Sequence, residues 1–139
     1  MIITLPSEED LPRLCQLFNQ VRAANASFSG KDYSPSEFIK AIDGEVILVA
    51  RDKDDIAGFA AVWAPDNFLH HLYIAPAQQG RGLGRALLER CTQDFGLPLS
   101  LKCVKANTHA CRFYERFGFR AVAEGDSPDG TYILYRLGP

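Results

Sequence analysis

Hydrophobic and polar positions follow several different periods along the 139-residue chain, and each change of period marks an element. Met1 to Leu5 is a short apolar run that predicts a strand. Ser7 then stands before Glu8, Glu9 and Asp10, an N-cap followed by three acids that complement a helix dipole. Leu11, Leu14, Cys15, Phe18, Val21 and Arg22 recur at three- and four-residue steps, so this helix buries one face. Ala23 to Asp32 is a loop of small and polar residues, and Ser34-Pro35 opens a second short helix with Phe38, Ile39 and Ile42 inward. Glu45–Arg51 and Ile56–Ala64 are apolar almost throughout and flank the turn Lys53-Asp54-Asp55. They predict a hairpin of central strands covered on both faces. Phe68 to Ala75 is a further strand, closed by Pro76. After it, Leu83, Leu87 and Cys91 fall four residues apart, the spacing of a helix.

Leu97 to Lys105 alternates, with Leu97, Leu99, Leu101 and Cys103 on one face. Asn107 can cap the next helix, which ends at Gly118. Phe119–Ala123 and Tyr132–Leu137 form a last hairpin around Ser127-Pro128-Asp129-Gly130. The order is β-α-α-β-β-β-α-β-α-β-β. That order predicts an α/β fold: a single mixed, mostly antiparallel sheet with helices on both faces. Length and the absence of repeats or linkers predict one domain over residues 1–139.

Between the strand at 68–75 and the following helix lies Gln79-Gly80-Arg81-Gly82-Leu83-Gly84. A strand that ends in a glycine-rich turn and opens a helix aims main-chain N–H groups and a positive dipole end at one point, which suits a phosphate. Glycines at 80, 82 and 84 let a bulky anion approach the backbone. A dinucleotide fingerprint would need its third glycine one position later and an acid about 20 residues on, where Lys102 and Cys103 stand. The Gly-Lys-Ser/Thr of a P-loop is absent. What remains is Q-x-x-G-x-G.

Composition narrows the classes. The net charge of −2 argues against a general nucleic-acid binder. Charge is unevenly divided: residues 1–80 carry six basic and eleven acidic side chains, residues 81–139 nine and six. The positive excess thus begins at the glycine loop, which suits a polyanion there and a cationic substrate nearer the other half. No apolar run is long enough to span a membrane, and MIITLPSEEDL is too acidic for a signal peptide. Cys15, Cys91, Cys103 and Cys111 make neither a C-x-x-C pair nor a zinc-ligand spacing, so no metal is expected. They predict reduced cysteines in a cytoplasmic protein.

Gln79, Gly82 and Gly84 resemble the acetyl-CoA pyrophosphate loop of the GNAT superfamily of N-acetyltransferases. The segment Asn107 to Phe119 resembles the family's second motif: asparagine, Ala110 three later, Tyr114 seven later, then Gly118-Phe119. The two motifs stand in the family's order, and the element order agrees along the chain, though residues 1–66 match in order alone. The resemblance implies transfer of an acetyl group from acetyl-CoA, as co-substrate, to a primary amine of a small molecule or peptide. It implies main-chain contacts from Leu72, Tyr73 and Ile74 to the thioester and pantetheine. The cofactor's phosphates would lie on Gln79, Gly80, Arg81, Gly82, Leu83, Gly84 and Arg85, and its arm on Asn107. Tyr114 matches the family's general acid, which protonates the departing sulfur.

The base is less determined. A glutamate common in the family six residues before Ile74 is replaced by Phe68. Strand alternation sets Phe68, His70, Leu72 and Ile74 on one face, with His71 and Tyr73 opposite. His70, like the histidine of the arylalkylamine N-acetyltransferases, is then the candidate, with a water or His71 as the alternative. His109 reads as a surface residue. The acceptor pocket would draw on Phe28, Tyr33 and Phe68, with Phe38, Trp63 and Tyr132 as further aromatics. Asp32, Asp66, Asp126 and Asp129 are possible ammonium partners. A homodimer stays open. The rival readings are a non-catalytic acyl-CoA-binding regulatory module, which would not need Tyr114, and a module for another nucleotide, which would not need Asn107 to Phe119.

Overall fold

The computed structural model describes residues 1–25 and 31–139. Strands β1 (Ile2–Thr4), β2 (Val46–Asp52), β3 (Asp55–Trp63), β4 (Phe68–Ile74), β5 (Leu99–Val104), β6 (Arg120–Ser127) and β7 (Gly130–Leu137) form one sheet. Helices α1 (Leu11–Ala24) and α2 (Pro35–Ala41) cover one face; α3 (Leu83–Phe95) and α4 (Thr108–Phe117) cover the other. The strand order is β1-β2-β3-β4-β5-β7-β6, and every pairing is antiparallel except β4 with β5. The mixed, mostly antiparallel sheet expected from the element order is therefore present. Among the described residues no helix is long and apolar enough to cross a membrane.

Local chemistry accounts for most boundaries. Ser34 accepts from the Glu37 amide and Glu37 accepts from the Ser34 amide, a reciprocal cap that starts α2. Ser7 instead precedes a 3₁₀ turn, Glu8–Asp10, and α1 begins only at Leu11. Asp10 accepts from the Ser7 amide at 2.7 Å and also binds Arg51 of β2, with contacts of 3.2 and 2.5 Å. The guanidinium holds the Asp10 carboxyl down at about 2. The helix after the glycine loop starts at Leu83 and reaches Phe95, longer than its apolar spacing alone indicates. Leu97, expected on the inner face of its strand, is 54% exposed because β5 begins only at Leu99, past Gly96 and Pro98.

Two cores lie back to back. Leu14, Leu17, Phe18, Phe38, Val49, Phe59 and Tyr73 fill the α1/α2 side. Leu87, Leu88, Cys91, Leu99, Leu101 and Tyr135 fill the α3/α4 side. Tyr135 is fully buried and donates to Glu115 at 2.7 Å, which satisfies its phenol. All four cysteines are buried and reduced. Burial pushes the Cys91 thiol up to about 12, so it packs as a small apolar group.

Candidate active site

The central strands separate where the chemistry would occur. β4 and β5 pair only at Phe68 with Ser100 and at Leu69 with Leu101. Asn67 closes that end: its side chain donates to the carbonyls of Gly96 and Pro98 at 2.9 and 2.6 Å, and its own carbonyl accepts from Ser100. Beyond Leu69 no β4–β5 pairing follows, and a gap opens toward Ile74. The Ala75 amide donates to Ala57 of β3, so residues 75, 73 and 71 direct their main-chain groups to β3. Leu72 and Ile74, at the alternate positions, direct theirs into the gap. Tyr73 turns its backbone to β3 and its side chain into the α1/α2 core.

The glycine loop stands at the mouth of this gap. Gly80 and Gly82 both have φ near +80°, and Gly82 is the N-cap of α3. The first bond closed by α3 runs from the Ala86 amide to the Gly82 carbonyl, and among the described residues no main-chain acceptor engages the amides of residues 80–85. A Cβ at Gly80 or Gly82 would meet nothing within 4 Å, so open space lies over the loop. Gly84 is different, since a Cβ there would come 3.1 Å from Phe113; this glycine packs α3 against α4. The Gln79 side chain donates to the Ile74 carbonyl at 3.3 Å and ties the loop to the strand.

Both arginines beside the loop are engaged within the protein. Arg81 donates to Asp52 at 2.9 Å and to Gln78, and its charge lowers the Asp52 carboxyl below its ordinary value. Arg85 meets Glu89 at 3.0 Å and lies over the Phe117 ring. Asn107 caps α4, with its Oδ1 accepting from the Ala110 amide at 3.3 Å.

Tyr114 lies on the α3/α4 face with Leu72 and Ile74. It packs edge-on against Phe113 at 5.3 Å and Phe119 at 5.6 Å. Desolvation pushes its phenol well above the ordinary tyrosine range, with Cys103 as the next contributor, so the proton stays on at neutral pH.

On the opposite face a cleft of about 560 Å³ is lined by Glu45, Trp63, Asp66, Phe68, His70 and Lys102. Its floor departs from simple alternation. Ala61 pairs with His71 and Val62 with Leu69, so His70 is an extra residue in β4. Leu69 therefore joins Leu72 in the α3/α4 core, while His70 and His71 turn the same way. The expectation that His70 shares a face with Leu72 and Ile74 fails here, because a bulge shifts the register by one.

The two imidazoles stack at 4.2 Å with 27° between their planes. His70 Nδ1 lies 2.9 Å from Glu45 Oε2; the histidine side chain is 51% exposed and the glutamate 4%. His71 contacts the edge of Phe18 at 5.4 Å, and burial holds it down at about 3, hence neutral. Glu45, His70 and His71 bring ligand-type atoms within 4.8 Å of one another. Glu45 and His70 thus form a hydrogen-bonded pair stacked on a neutral ring.

The remaining predicted acceptor residues separate. Phe68 and Trp63 line the cleft, and Gly44 lets the Trp63 ring approach its backbone. Tyr33 packs on Phe18 at 4.9 Å, outside the cleft lining. Phe28 lies outside the described residues. Asp66 reaches the cleft, and Lys102, above the Tyr132 ring at 4.7 Å, is a lining residue that sequence reasoning missed. Glu45 was missed as well; as the first residue of an apolar strand it carried no signal of its own.

Comparison with known proteins agrees with this architecture. Residues 13–133 match the family model described as the acetyltransferase (GNAT) domain. Streptothricin acetyltransferase of Streptomyces lavendulae is 30% identical over 112 residues, which are 70% of this chain and 59% of the relative. The 5-NmdU N-acetyltransferase of Pseudomonas phage PaMx11 is 32% identical over 95 residues, 63% of this chain and 66% of the relative. The chain thus spans 59% and 66% of the lengths of these two relatives. Among solved structures, a GCN5-related N-acetyltransferase from Rhodopseudomonas palustris superposes with a TM-score of 0.84 at 17% identity, covering 97% of this chain and 93% of that one. A putative acetyltransferase from Salmonella typhimurium, solved with its cofactor acetyl-CoA, gives 0.76 at 19% identity, covering 98% and 92%. With the family model spanning most of its length, and with the glycine loop between β4 and α3 as expected, this chain belongs to the GNAT superfamily of acetyltransferases.

Proposed function

We propose that this protein is a single-domain N-acetyltransferase that moves an acetyl group from acetyl-CoA to a primary amine by direct attack. The observation that carries this reading is the early end of β4–β5 pairing at Leu69, with a glycine loop of unengaged amides following the same strand. The loop fits a diphosphate: six successive amides lack a main-chain acceptor, and no atom would crowd a Cβ at Gly80 or Gly82. These amides would hold the phosphates, the gap-facing groups of Leu72 and Ile74 the arm and carbonyl, and the Asn107 amide group a further contact. Bound there, the cofactor supplies an acyl thioester.

The rest is work for the protein's own groups. Leu72 and Ile74 orient the carbonyl and polarise it through the backbone. His70 Nε2 takes a proton from the incoming ammonium, whose ordinary pKa near ~10 keeps it charged at neutral pH. Tyr114 gives its proton to the departing sulfur; the dry surroundings that hold the phenol protonated also raise the basicity of a thiolate formed beside it. Acceptor chemistry is an amine on a small molecule or peptide, in a cleft where Trp63 and Phe68 supply apolar surface and Asp66 a counter-charge. The relatives named for streptothricin and 5-NmdU support an amine acceptor.

The test follows free thiol release from acetyl-CoA over a broad amine panel. Wild type should turn over at least one amine, and Tyr114→Phe should lose about 100-fold in kcat with little change in cofactor affinity. Tight acetyl-CoA binding without turnover on any amine would instead identify a non-catalytic acyl-CoA-binding regulatory module.

A further inference from the structure

We infer that Glu45 is a positioning residue for His70, locking the imidazole with its proton on Nδ1 and leaving Nε2 bare toward the cleft. The inference rests on the reading of His70 as base and adds a residue that no motif marks.

Three observations carry it. The Glu45 side chain is only 4% exposed, yet among the described residues neither Lys nor Arg pairs with it, and its Oε1 is buried without a hydrogen-bond partner there. A desolvated carboxylate with an unsatisfied oxygen is costly, and a costly group retained at a cleft floor calls for a role. Its Oε2 is spent on His70 Nδ1 at 2.9 Å. An ionised carboxylate can only accept, so the proton on that line belongs to the imidazole, and the free lone pair is then on Nε2.

The bulge in β4 is what makes the pair. With regular alternation His70 would face the α3/α4 core; as the extra residue it turns to Glu45, just ahead of β2. His71, packed against Phe18 and stacked on His70, backs the ring as a neutral plate and keeps it from rotating away. The other charged groups around the cleft are Asp66 before β4 and Lys102 on β5, with Arg22 of α1 acting on His71. Among the described residues only Glu45 is hydrogen-bonded to His70.

The experiment combines side-chain ¹⁵N NMR of His70 with pH–rate profiles for wild type, Glu45→Gln, Glu45→Asp and His70→Ala. Wild type should show the Nδ1–H tautomer. Glu45→Gln removes the buried carboxylate acceptor, so the Nδ1–H form should lose population to the Nε2–H form. The same change should lower kcat about 10–100-fold with the KM for acetyl-CoA unchanged, and Glu45→Asp should restore part of the rate. An Nε2–H tautomer in wild type, or an unchanged tautomer population and rate in Glu45→Gln while His70→Ala abolishes turnover, overturns the role of Glu45 alone. Full turnover by His70→Ala overturns the base reading itself, whatever the NMR shows.

Discussion

On the α3/α4 face the groups nearest the gap are partly buried against a closed core; on the α1/α2 face they stand in an open cleft. Tyr114 keeps its proton because desolvation disfavours the phenolate, and its ring packs edge-on against Phe113 and Phe119. His70 sits half in solvent and is organised by one buried carboxylate and one neutral ring. An acid that must hold a proton until a thiolate forms is served by desolvation. A base that must exchange protons with water between turnovers is served by exposure. In the proposed mechanism, the split between β4 and β5 would let both reach one substrate from opposite sides of the sheet.

That contrast can be attacked from either side. The largest effect is expected on the α3/α4 face. Leu87→Ala, at a fully buried position of α3, should cost about 3 kcal/mol of stability, read from chemical denaturation. A loss under about 1 kcal/mol would mean that this face is not packed as described.

Gly82→Glu should act at the mouth of the gap. The left-handed φ of +79° disfavours any side chain, and the new carboxylate would face a diphosphate. Affinity for CoA, measured by calorimetry, should fall at least about tenfold while the fold persists, and unchanged affinity would refute the loop as the phosphate cradle.

The smallest effect at neutral pH belongs to His71→Phe, which sharpens the difference between the two adjacent histidines. His71 titrates at about 3 when folded against an ordinary 6.5, so its contribution is intact above 6.5 and is lost as pH falls toward 3. The unfolded chain takes up the proton first in that window, so acid destabilises wild type. The phenylalanine variant should show a flatter dependence of thermal stability on pH between 6.5 and about 4, with the pH–rate profile unmoved. An identical slope in the two proteins would show that His71 is not held neutral by burial.

Periodicity and caps made most of the fold legible: α2 begins at its reciprocal Ser34–Glu37 cap, and β3 is buried from Ile56 to Val62 as its unbroken apolar run requires. Asn107 and Gly118 bound α4 as their residue types demand. The turn before α3 was also legible, since glycines at 80 and 82 are a local pattern and both adopt a left-handed backbone. The boundary of α1 was not, because the cap at Ser7 starts a 3₁₀ turn and Asp10 is shared with Arg51, 41 residues away. The same limit applied to Arg81, drawn to Asp52 of β2, and to Leu97, left outside β5.

What the amino-acid sequence determined by itself was therefore whatever depends on neighbours three or four positions apart: the helices, the strands, the phosphate-type turn and its place before a helix. What only the tertiary structure decided was the acceptor side. The direction of His70 follows from a bulge, and a bulge is a mismatch between two strands rather than a property of either. The Glu45–His70 pair spans 25 residues and exists because β2, β3 and β4 lie side by side. Such contacts are set by register and packing, which no local period encodes.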